Sequence, residues 1–218
     1  MQLTSDALVL TARGHGETAS IVQLLTETSG RIVAYVHGGR SRRTKPLLVP
    51  GNLCHVQLED RSGGDGRMPV ARLELVASRA ALSLEPLRGA MAEWLTICLA
   101  EALPEGERVD GLWERACAMF GLLDTEASAA QVGAALARFE LALLETLGFQ
   151  LDLAGCALTG ETDNLAFVSP RTGRAATADA AELWRDRLLA LPAFLIDSGA
   201  PAEATDIEAG LRLTRHFL

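Results

Sequence analysis

The residues with the clearest chemical potential form a basic run in an acidic chain. Residues 38–45 read Gly-Gly-Arg-Ser-Arg-Arg-Thr-Lys, and no Asp or Glu lies between Glu27 and Glu59. The whole chain of 218 residues carries a formal net charge of -8 at pH 7. An acidic protein that gathers cations on one loop usually presents them to a polyanion. Residues 38–45, called the basic loop below, are therefore predicted to bind phosphate groups.

Nucleic-acid backbones suit such a loop, because each arginine or lysine that contacts a phosphate releases a counterion. About five contacts predict that affinity falls with salt with a log-log slope of about -3.5 to -4.5. Tyr35 is the only Phe, Trp or Tyr among the first 80 residues, so base stacking is predicted at one place at most. The competing interpretation is a solvated loop that binds nothing. The candidate DNA-binding residues are Arg13, Arg31, Tyr35, Arg40, Arg42, Arg43 and Lys45.

Catalytic chemistry has little support. Residues 14–18 lack the lysine and the glycine spacing of a phosphate-binding P-loop. The four histidines are interpreted as surface or loop imidazoles, because none has a motif neighbour that would make a metal or base site. Glu59 and Asp60 are adjacent on a predicted strand, so their carboxylates point to opposite faces and do not share a proton. The sequence predicts no catalytic residue and no enzyme activity.

The cysteines and the apolar stretches exclude further classes. No two of the four cysteines have the spacing of a metal-binding or redox pair. The first residues lack the basic start and apolar core of a signal peptide. No apolar stretch approaches the ~20 residues that a membrane-spanning helix needs. We expect a cytoplasmic protein.

Positioning the basic loop requires a β-rich first part of the chain. Five short apolar or β-branched runs, bounded by glycines and polar turn residues, lie within the first 80 residues. They leave no room for crossover helices, so the sequence predicts a small antiparallel barrel of the OB type, whose closure removes exposed edges. The basic loop joins the third and fourth strands. The predicted strands are residues 3–11, 20–25, 31–37, 53–58 and 70–76.

From residue 86 onward the apolar period becomes helical. Helices are predicted over 87–102, 109–123, 132–147 and 179–190, with a last one starting at the capping pattern of Thr205 and Glu208. An irregular stretch over about 150–176 contains a short hairpin near 165–168. The predicted fold class is α+β, with an N-terminal five-stranded antiparallel OB-type barrel over 1–80 and a mainly helical C-terminal domain over 81–218.

The balance of charged residues also changes near residue 80. The first 80 residues contain 10 Lys and Arg against 7 Asp and Glu, whereas the remainder contains 10 against 21. Such asymmetry suggests two parts with different partners. Only the first part is expected to attract a nucleic acid.

Several segments, in order, resemble the RecO family of bacterial DNA recombination and repair mediators. The strongest is residues 138–145, Arg-Phe-Glu-Leu-Ala-Leu-Leu-Glu, followed by Leu-Gly-Phe at 147–149 and Cys-Ala at 156–157. Near the start, residues 7–10, 16–17 and 30–40 follow the family pattern. Each motif alone is weak, and their order and spacing over most of the chain carry the resemblance.

The resemblance implies a nucleoid-associated, non-enzymatic mediator that binds and anneals single-stranded DNA. It also implies binding to the acidic C-terminal tail of single-stranded DNA-binding protein, and work with RecR in loading RecA. Arg138 becomes a candidate contact for the acidic tail, with Leu141 and Ala142 lining a groove. Spacing alone favours a structural role for Arg138, in an ion pair with a surface carboxylate such as Glu145.

One departure from the family concerns zinc. Many relatives carry two CxxC pairs in the irregular stretch, but here Cys156 remains alone and Thr159 occupies the second position. A lone cysteine does not hold a structural zinc. We therefore expect a degenerate zinc-finger-like segment with no metal and no cofactor.

Two other hypotheses remain open at this level. The first is a protein–protein adaptor that binds acidic peptides with little direct DNA binding, which the acidic second part of the chain favours. The second is a hydrolase, for which the sequence offers no candidate residue.

Overall fold

The computed structural model describes residues 2–59, 68–149 and 151–218. The chain forms two compact units, Met1–Thr125 and Glu126–Leu218. The first unit contains the predicted strands together with the first two helices, and the second contains the remaining elements. A domain boundary at residue 80 stays a prediction.

The first unit is built on a closed five-stranded barrel with the strand order β1-β2-β3-β5-β4. The long first strand makes closure possible, because its first half pairs with β4 and its second half with β2. All neighbours are antiparallel except β3 and β5, which meet in parallel where Tyr35 pairs with Val70. The α+β class and the OB-type barrel are confirmed. The strands are β1 Gln2–His15, β2 Ala19–Thr26, β3 Gly30–Val36, β4 Leu53–Glu59 and β5 Val70–Ala77.

Alternation along the strands separates the inside of the barrel from its outer surface. Val9, Leu24 and Val56 belong to a buried cluster in the barrel interior. Leu8 and Leu25 point to the other face and are also buried, because α1 packs against β1 and β2. The helices of this unit are α1 Pro86–Ala102 and α2 Leu112–Leu123. One end of the outer surface therefore lies under a helix, and the other end stays accessible.

The second unit is a pair of long helices with a small sheet. The helix α3 Ala129–Thr146 begins at a capping box made by Ser128 and Gln131, and it packs against α5 Ala204–Phe217. The buried carboxylate of Glu140 on α3 accepts a hydrogen bond from the Thr214 hydroxyl and lies 3.4 Å from Nε of Arg215, both on α5. The sheet consists of β6 Leu165–Val168, β7 Ala175–Thr177 and β8 Leu189–Ala190, in the order β7-β6-β8.

The helix predicted over 179–190 is confirmed over most of its length but differs in type and at its end. The α-helix α4 covers only Ala178–Ala181, a 3-10 helix follows over Glu182–Arg187, and β8 then pairs with β6. Pairing with a strand some 20 residues away in sequence replaces the predicted helix at Leu189 and Ala190. Leu183 and Trp184 on the 3-10 helix are exposed, at 88% and 48%.

The start of the last helix also differs from the prediction. A reciprocal pair between Glu203 and Asp206 caps it, two residues before the predicted pair of Thr205 and Glu208. Both pairs have the i, i+3 spacing of a capping box, and the sequence rule alone does not tell which of them caps the helix. Among the described helices, none is both long and apolar enough to span a membrane.

Candidate nucleic-acid interface

The basic loop has a defined backbone path. The N–H of Arg40 donates to the Thr18 carbonyl at 3.0 Å, which ties the loop to the turn between β1 and β2. The N–H of Lys45 donates to the Ser41 carbonyl at 2.9 Å, and the Ser41 hydroxyl lies 3.1 Å from the Thr44 hydroxyl. These bonds hold the cationic side chains around one compact turn.

The two glycines of the loop have structural reasons to be there. Gly38 has a φ of 62°, a left-handed conformation that glycine adopts without strain. A Cβ on Gly39 would lie 2.6 Å from the side chain of Ser20. Gly39 therefore lets the loop lie against β2.

Beside the loop lies a groove of about 650 Å³ that also uses the turn between β1 and β2. We call this the basic groove. Gly14, Gly16 and Gly39 leave part of its wall without side chains, and Arg40 and Lys45 supply its cations. The rest of the lining is neutral: Ala12, Ser20, Leu48, Val49 and Pro50. Nη1 of Arg40 donates to the Gly16 carbonyl at 3.0 Å. Its guanidinium is thus held in place at the groove while remaining exposed.

Three further cations lie near the basic groove. Arg42 and Arg43 are exposed within the loop, and neither pairs with a described carboxylate. Arg13 is exposed on β1 at the end next to the turn, on the face opposite to the groove-lining Gly14. Glu17 is exposed in that turn. Arg40, Lys45, Arg42 and Arg43 therefore give the groove side of this end a surplus of cations, as anion binding requires.

Arg31 lies elsewhere on the barrel. It begins β3, whereas the basic loop follows the end of that strand, about 20 Å away at about 3.3 Å per residue. Its Nε donates to the Leu103 carbonyl at 2.6 Å, and its Nη1 donates to Oε1 of Gln23 at 3.2 Å. The structure does not bring Arg31 together with the basic loop, and its role in DNA binding stays a prediction.

Tyr35 lies on the outer surface of the barrel in register with Arg13. Ile21 of β2 pairs with both residues, so the three side chains share one face of the sheet. The rings of His15 and His37 flank Tyr35, with centroids 5.9 Å and 4.8 Å from the phenol ring. Tyr35 and His37 are two residues apart, so the sequence alone predicts that they lie on the same face. His15 is on β1 and reaches Tyr35 only through the register of β1 on β2.

A buried polar network supports the basic loop from behind. The side-chain amide of Asn52 donates to the carbonyls of Pro46 and Leu47, directly after the loop. Its oxygen accepts from the N–H of Arg79 at 2.8 Å. The Arg79 guanidinium then donates to the Gly51 carbonyl at 2.8 Å and to Asp124 at 2.9 Å. Sequence reasoning missed this network, because its members are far apart along the chain.

The candidate peptide-binding residues lie together on one face of α3. Arg138 precedes Leu141 and Ala142 by three and four residues, a spacing that places them side by side. Nε of Arg138 donates to the Phe194 carbonyl at 3.0 Å, and its guanidinium lies 5.3 Å from the Phe194 ring centroid. The predicted ion pair with a carboxylate such as Glu145 is wrong, since the polar partner is a backbone carbonyl.

Leu141 also lines a shallow groove of about 650 Å³ in the second unit. The other lining residues include Glu145 and Asp152, whose carboxylates disfavour an acidic ligand at that point. Nε of Arg174 lies 3.4 Å from Asp152 and offsets part of that charge. Any acidic peptide near α3 must therefore be held by Arg138 rather than inside this groove.

Comparison with known proteins decides the family. A family model described as Recombination protein O N terminal matches residues 1–79, and one described as Recombination protein O C terminal matches residues 85–218. The chain belongs to the RecO family.

Relatives named DNA repair protein RecO match over the whole chain. The protein of Rhodospirillum centenum is 45% identical over 221 residues, which cover 100% of this chain and 86% of the relative. The protein of Phenylobacterium zucineum is 44% identical over 219 residues, with 88% of it covered. The protein of Methylobacterium nodulans is 42% identical over 227 residues, with 89% of it covered.

The zinc question raised by the RecO resemblance centres on Cys156. Its buried thiol accepts a hydrogen bond from the Thr177 N–H at 3.4 Å. The Thr177 hydroxyl lies 3.8 Å from the sulfur. One thiol and one hydroxyl do not fit a structural zinc site, which takes four Cys or His ligands. Hydrogen bonds to sulfur close this turn instead.

Hydrogen bonds to this sulfur favour the thiolate. They lower the pKa of Cys156 from its ordinary value of 9.0 to about 6, with the Thr159 side chain as the largest cause and the Thr177 N–H second. Burial instead raises the pKa of Cys54 and of Cys117 to about 11. Near neutral pH, Cys156 is therefore mostly a thiolate, whereas Cys54 and Cys117 stay protonated.

We expect the free energy of unfolding to rise between about pH 6 and pH 9. In that range the folded state has lost the Cys156 proton while the unfolded state still binds it, so higher pH favours folding. This contribution disappears as pH falls through about 6. Thiolate absorbance in the ultraviolet checks the titration, which Cys156→Ser should abolish and Thr159→Val should move to higher pH. A titration near pH 6 that persists in Cys156→Ser would contradict the assignment.

Proposed function

We propose that this RecO-family chain is a non-enzymatic mediator of DNA recombination and repair that binds and anneals single-stranded DNA. The observation that carries the proposal is the basic groove, where an ordered turn gathers several exposed cations at one end of an OB-type barrel. Barrels of this type commonly bind oligonucleotides. Contacts to phosphates provide affinity for any sequence.

Annealing follows from the same electrostatics and requires no covalent step. Two complementary strands repel each other through their phosphates, and Arg13, Arg40, Arg42, Arg43 and Lys45 neutralise part of that charge. Base pairing then supplies the specificity. The proposal needs no catalytic residue and no cofactor.

The second part of the proposal concerns protein partners. Arg138, with Leu141 and Ala142 beside it, contacts the acidic C-terminal tail of single-stranded DNA-binding protein, and the chain works with RecR in loading RecA. The half-buried guanidinium of Arg138 is oriented by Phe194 and remains a cation at the edge of an apolar helix face. A cation in such a place suits a peptide that carries both acidic and apolar side chains.

A salt titration tests the DNA part of the proposal. Fluorescence anisotropy of a labelled single-stranded oligonucleotide should give a log-log slope of about -3.5 for five phosphate contacts. Between about 50 mM and about 200 mM salt, the affinity should fall about a hundredfold. Binding that is insensitive to salt, or no binding, would contradict the proposal.

A further inference from the structure

We propose that His15, Tyr35 and His37 form a platform on which unpaired bases of single-stranded DNA stack beside the basic groove. We call these three residues the ring strip. The inference rests on the proposed function and deepens it, because it assigns contacts to bases in addition to phosphates. It also revises the prediction that stacking occurs at Tyr35 alone.

The geometry of the ring strip is that of an ordered surface cluster. The planes of His15 and Tyr35 are inclined by 81°, and those of Tyr35 and His37 by 75°, so both contacts are edge-to-face. Tyr35 is half-buried, and the two imidazoles are exposed. Tyr35 thus fixes the orientation of two flat side chains whose surfaces reach solvent.

The position of the ring strip connects it to the basic groove. His15 follows Gly14, which lines the groove together with Arg40, but side chains alternate along β1, so His15 projects from the opposite face of the strand. Arg13 and Tyr35 share that face with His15, so Arg13 is the cation beside the ring strip. His37 immediately precedes the basic loop, so the strip and the groove lie on the two faces of the same end of the barrel. A strand that stacks on the imidazoles contacts Arg13 and passes round this end to reach Arg40 and Lys45.

Stacking gives the interface a property that phosphate contacts lack. Every base has a flat π face, and stacking on a protein ring is tolerant of base identity. In a duplex these faces are covered by neighbouring base pairs, so only unpaired bases reach the strip. The ring strip thus favours single strands over duplex DNA, whereas the cations attract both.

The decisive experiment compares two ligands with the same phosphates. Affinities for an oligothymidylate and for an abasic oligonucleotide of equal length are measured with the wild-type protein and with the His15→Ala/His37→Ala variant. We expect wild type to bind the thymidylate about tenfold or more tightly than the abasic strand. The double variant keeps only the half-buried Tyr35, so it should lose most of this preference and keep its affinity for the abasic strand.

A matched control comes from the same barrel. His55 is a surface histidine of β4 that pairs with Asp6 at 2.8 Å, so His55→Ala removes an imidazole outside the ring strip. It should leave both affinities unchanged. The chain contains one tyrosine, so fluorotyrosine labelling gives a single fluorine NMR signal at Tyr35. That signal should shift with the thymidylate and much less with the abasic strand.

The outcomes separate the two proposals. Equal binding of both ligands by wild type would overturn the stacking platform and leave phosphate binding intact. A preference for thymidylate that is undiminished in the double variant would also overturn it. Binding of neither ligand would overturn the proposed function and the platform together.

Discussion

Replacement of Arg40, Arg42 and Arg43 by alanine should remove most of the salt dependence of single-strand binding. With two of the five cations left, Lys45 at the groove and Arg13 on the other face of β1, the log-log slope should change from about -3.5 to about -1.4. Affinity should then fall less than tenfold between about 50 mM and about 200 mM salt, compared with about a hundredfold for wild type. The loss should be similar for all base sequences, because phosphates carry no sequence information.

The contacts of Arg40 require a second variant. Its guanidinium also holds the turn between β1 and β2 through the Gly16 carbonyl, so alanine at this position removes a structural contact along with a charge. Arg42→Ala/Arg43→Ala changes only exposed side chains and should still reduce the slope by about 1.4. The lysine versions of both changes keep the charge and should retain the slope.

Two single variants complete the design. Arg72→Ala removes a cation of β5 that pairs with Glu59 at 2.8 Å, away from the basic loop in sequence, and should leave the slope unchanged.

Arg138→Ala should weaken binding of an acidic peptide and leave oligonucleotide binding intact. The triple variant should weaken oligonucleotide binding and leave peptide binding intact. If the triple variant keeps the wild-type slope, the basic groove is not the DNA contact.

Replacement of Arg79 by methionine should cost about 3 kcal/mol of stability in the first unit. A buried polar group left without its partner costs about 1–3 kcal/mol, and a hydrogen bond to a charged group is worth about 1.5–3 kcal/mol. Asp124 is 42% exposed and regains water when Arg79 is removed, so the loss comes mainly from the buried end of the network. The change also leaves the Gly51 carbonyl without its guanidinium donor and removes the cation 5.3 Å from the Phe120 ring centroid.

Urea unfolding measures this loss, with a midpoint that should fall by about 1–3 M for an m-value of about 1–3 kcal/mol per M. Trp94 and Trp113 lie in the first unit and Trp184 in the second, so a Trp184→Phe background restricts the fluorescence to the first unit. Asp124→Asn keeps an acceptor for Arg79 and should cost less, about 1 kcal/mol. Equal stability of Arg79→Met and wild type would show that the network does not support the loop.

The strands of the barrel could be predicted because their signals are local. Alternation of apolar residues and the glycine-rich turns identified all five strands, and edge closure favoured a barrel. The end of the helix predicted over 179–190 could not be predicted correctly. Residues 182–187 are a 3-10 helix, and β8 at Leu189–Ala190 gains its hydrogen bonds from β6, a pairing that no local rule contains.

The candidate site was predictable to the extent that it is contiguous in sequence. Arg40, Arg42, Arg43 and Lys45 lie together because one turn carries them all. Arg31 is near them in sequence and distant in space, because an extended strand separates residues faster than any other element. Asn52, Arg79 and Asp124 show the opposite case, since they are distant in sequence and meet in one network.

The amino-acid sequence by itself determined that an acidic chain presents one cationic loop on a small barrel, because charge runs and strand periods are properties of neighbouring residues. The tertiary structure alone decided which groups accompany that loop. Strand register brings His15 into contact with Tyr35 and places Arg13 on the same face as Tyr35. Register is set by pairing between strands, so it appears only when the barrel closes.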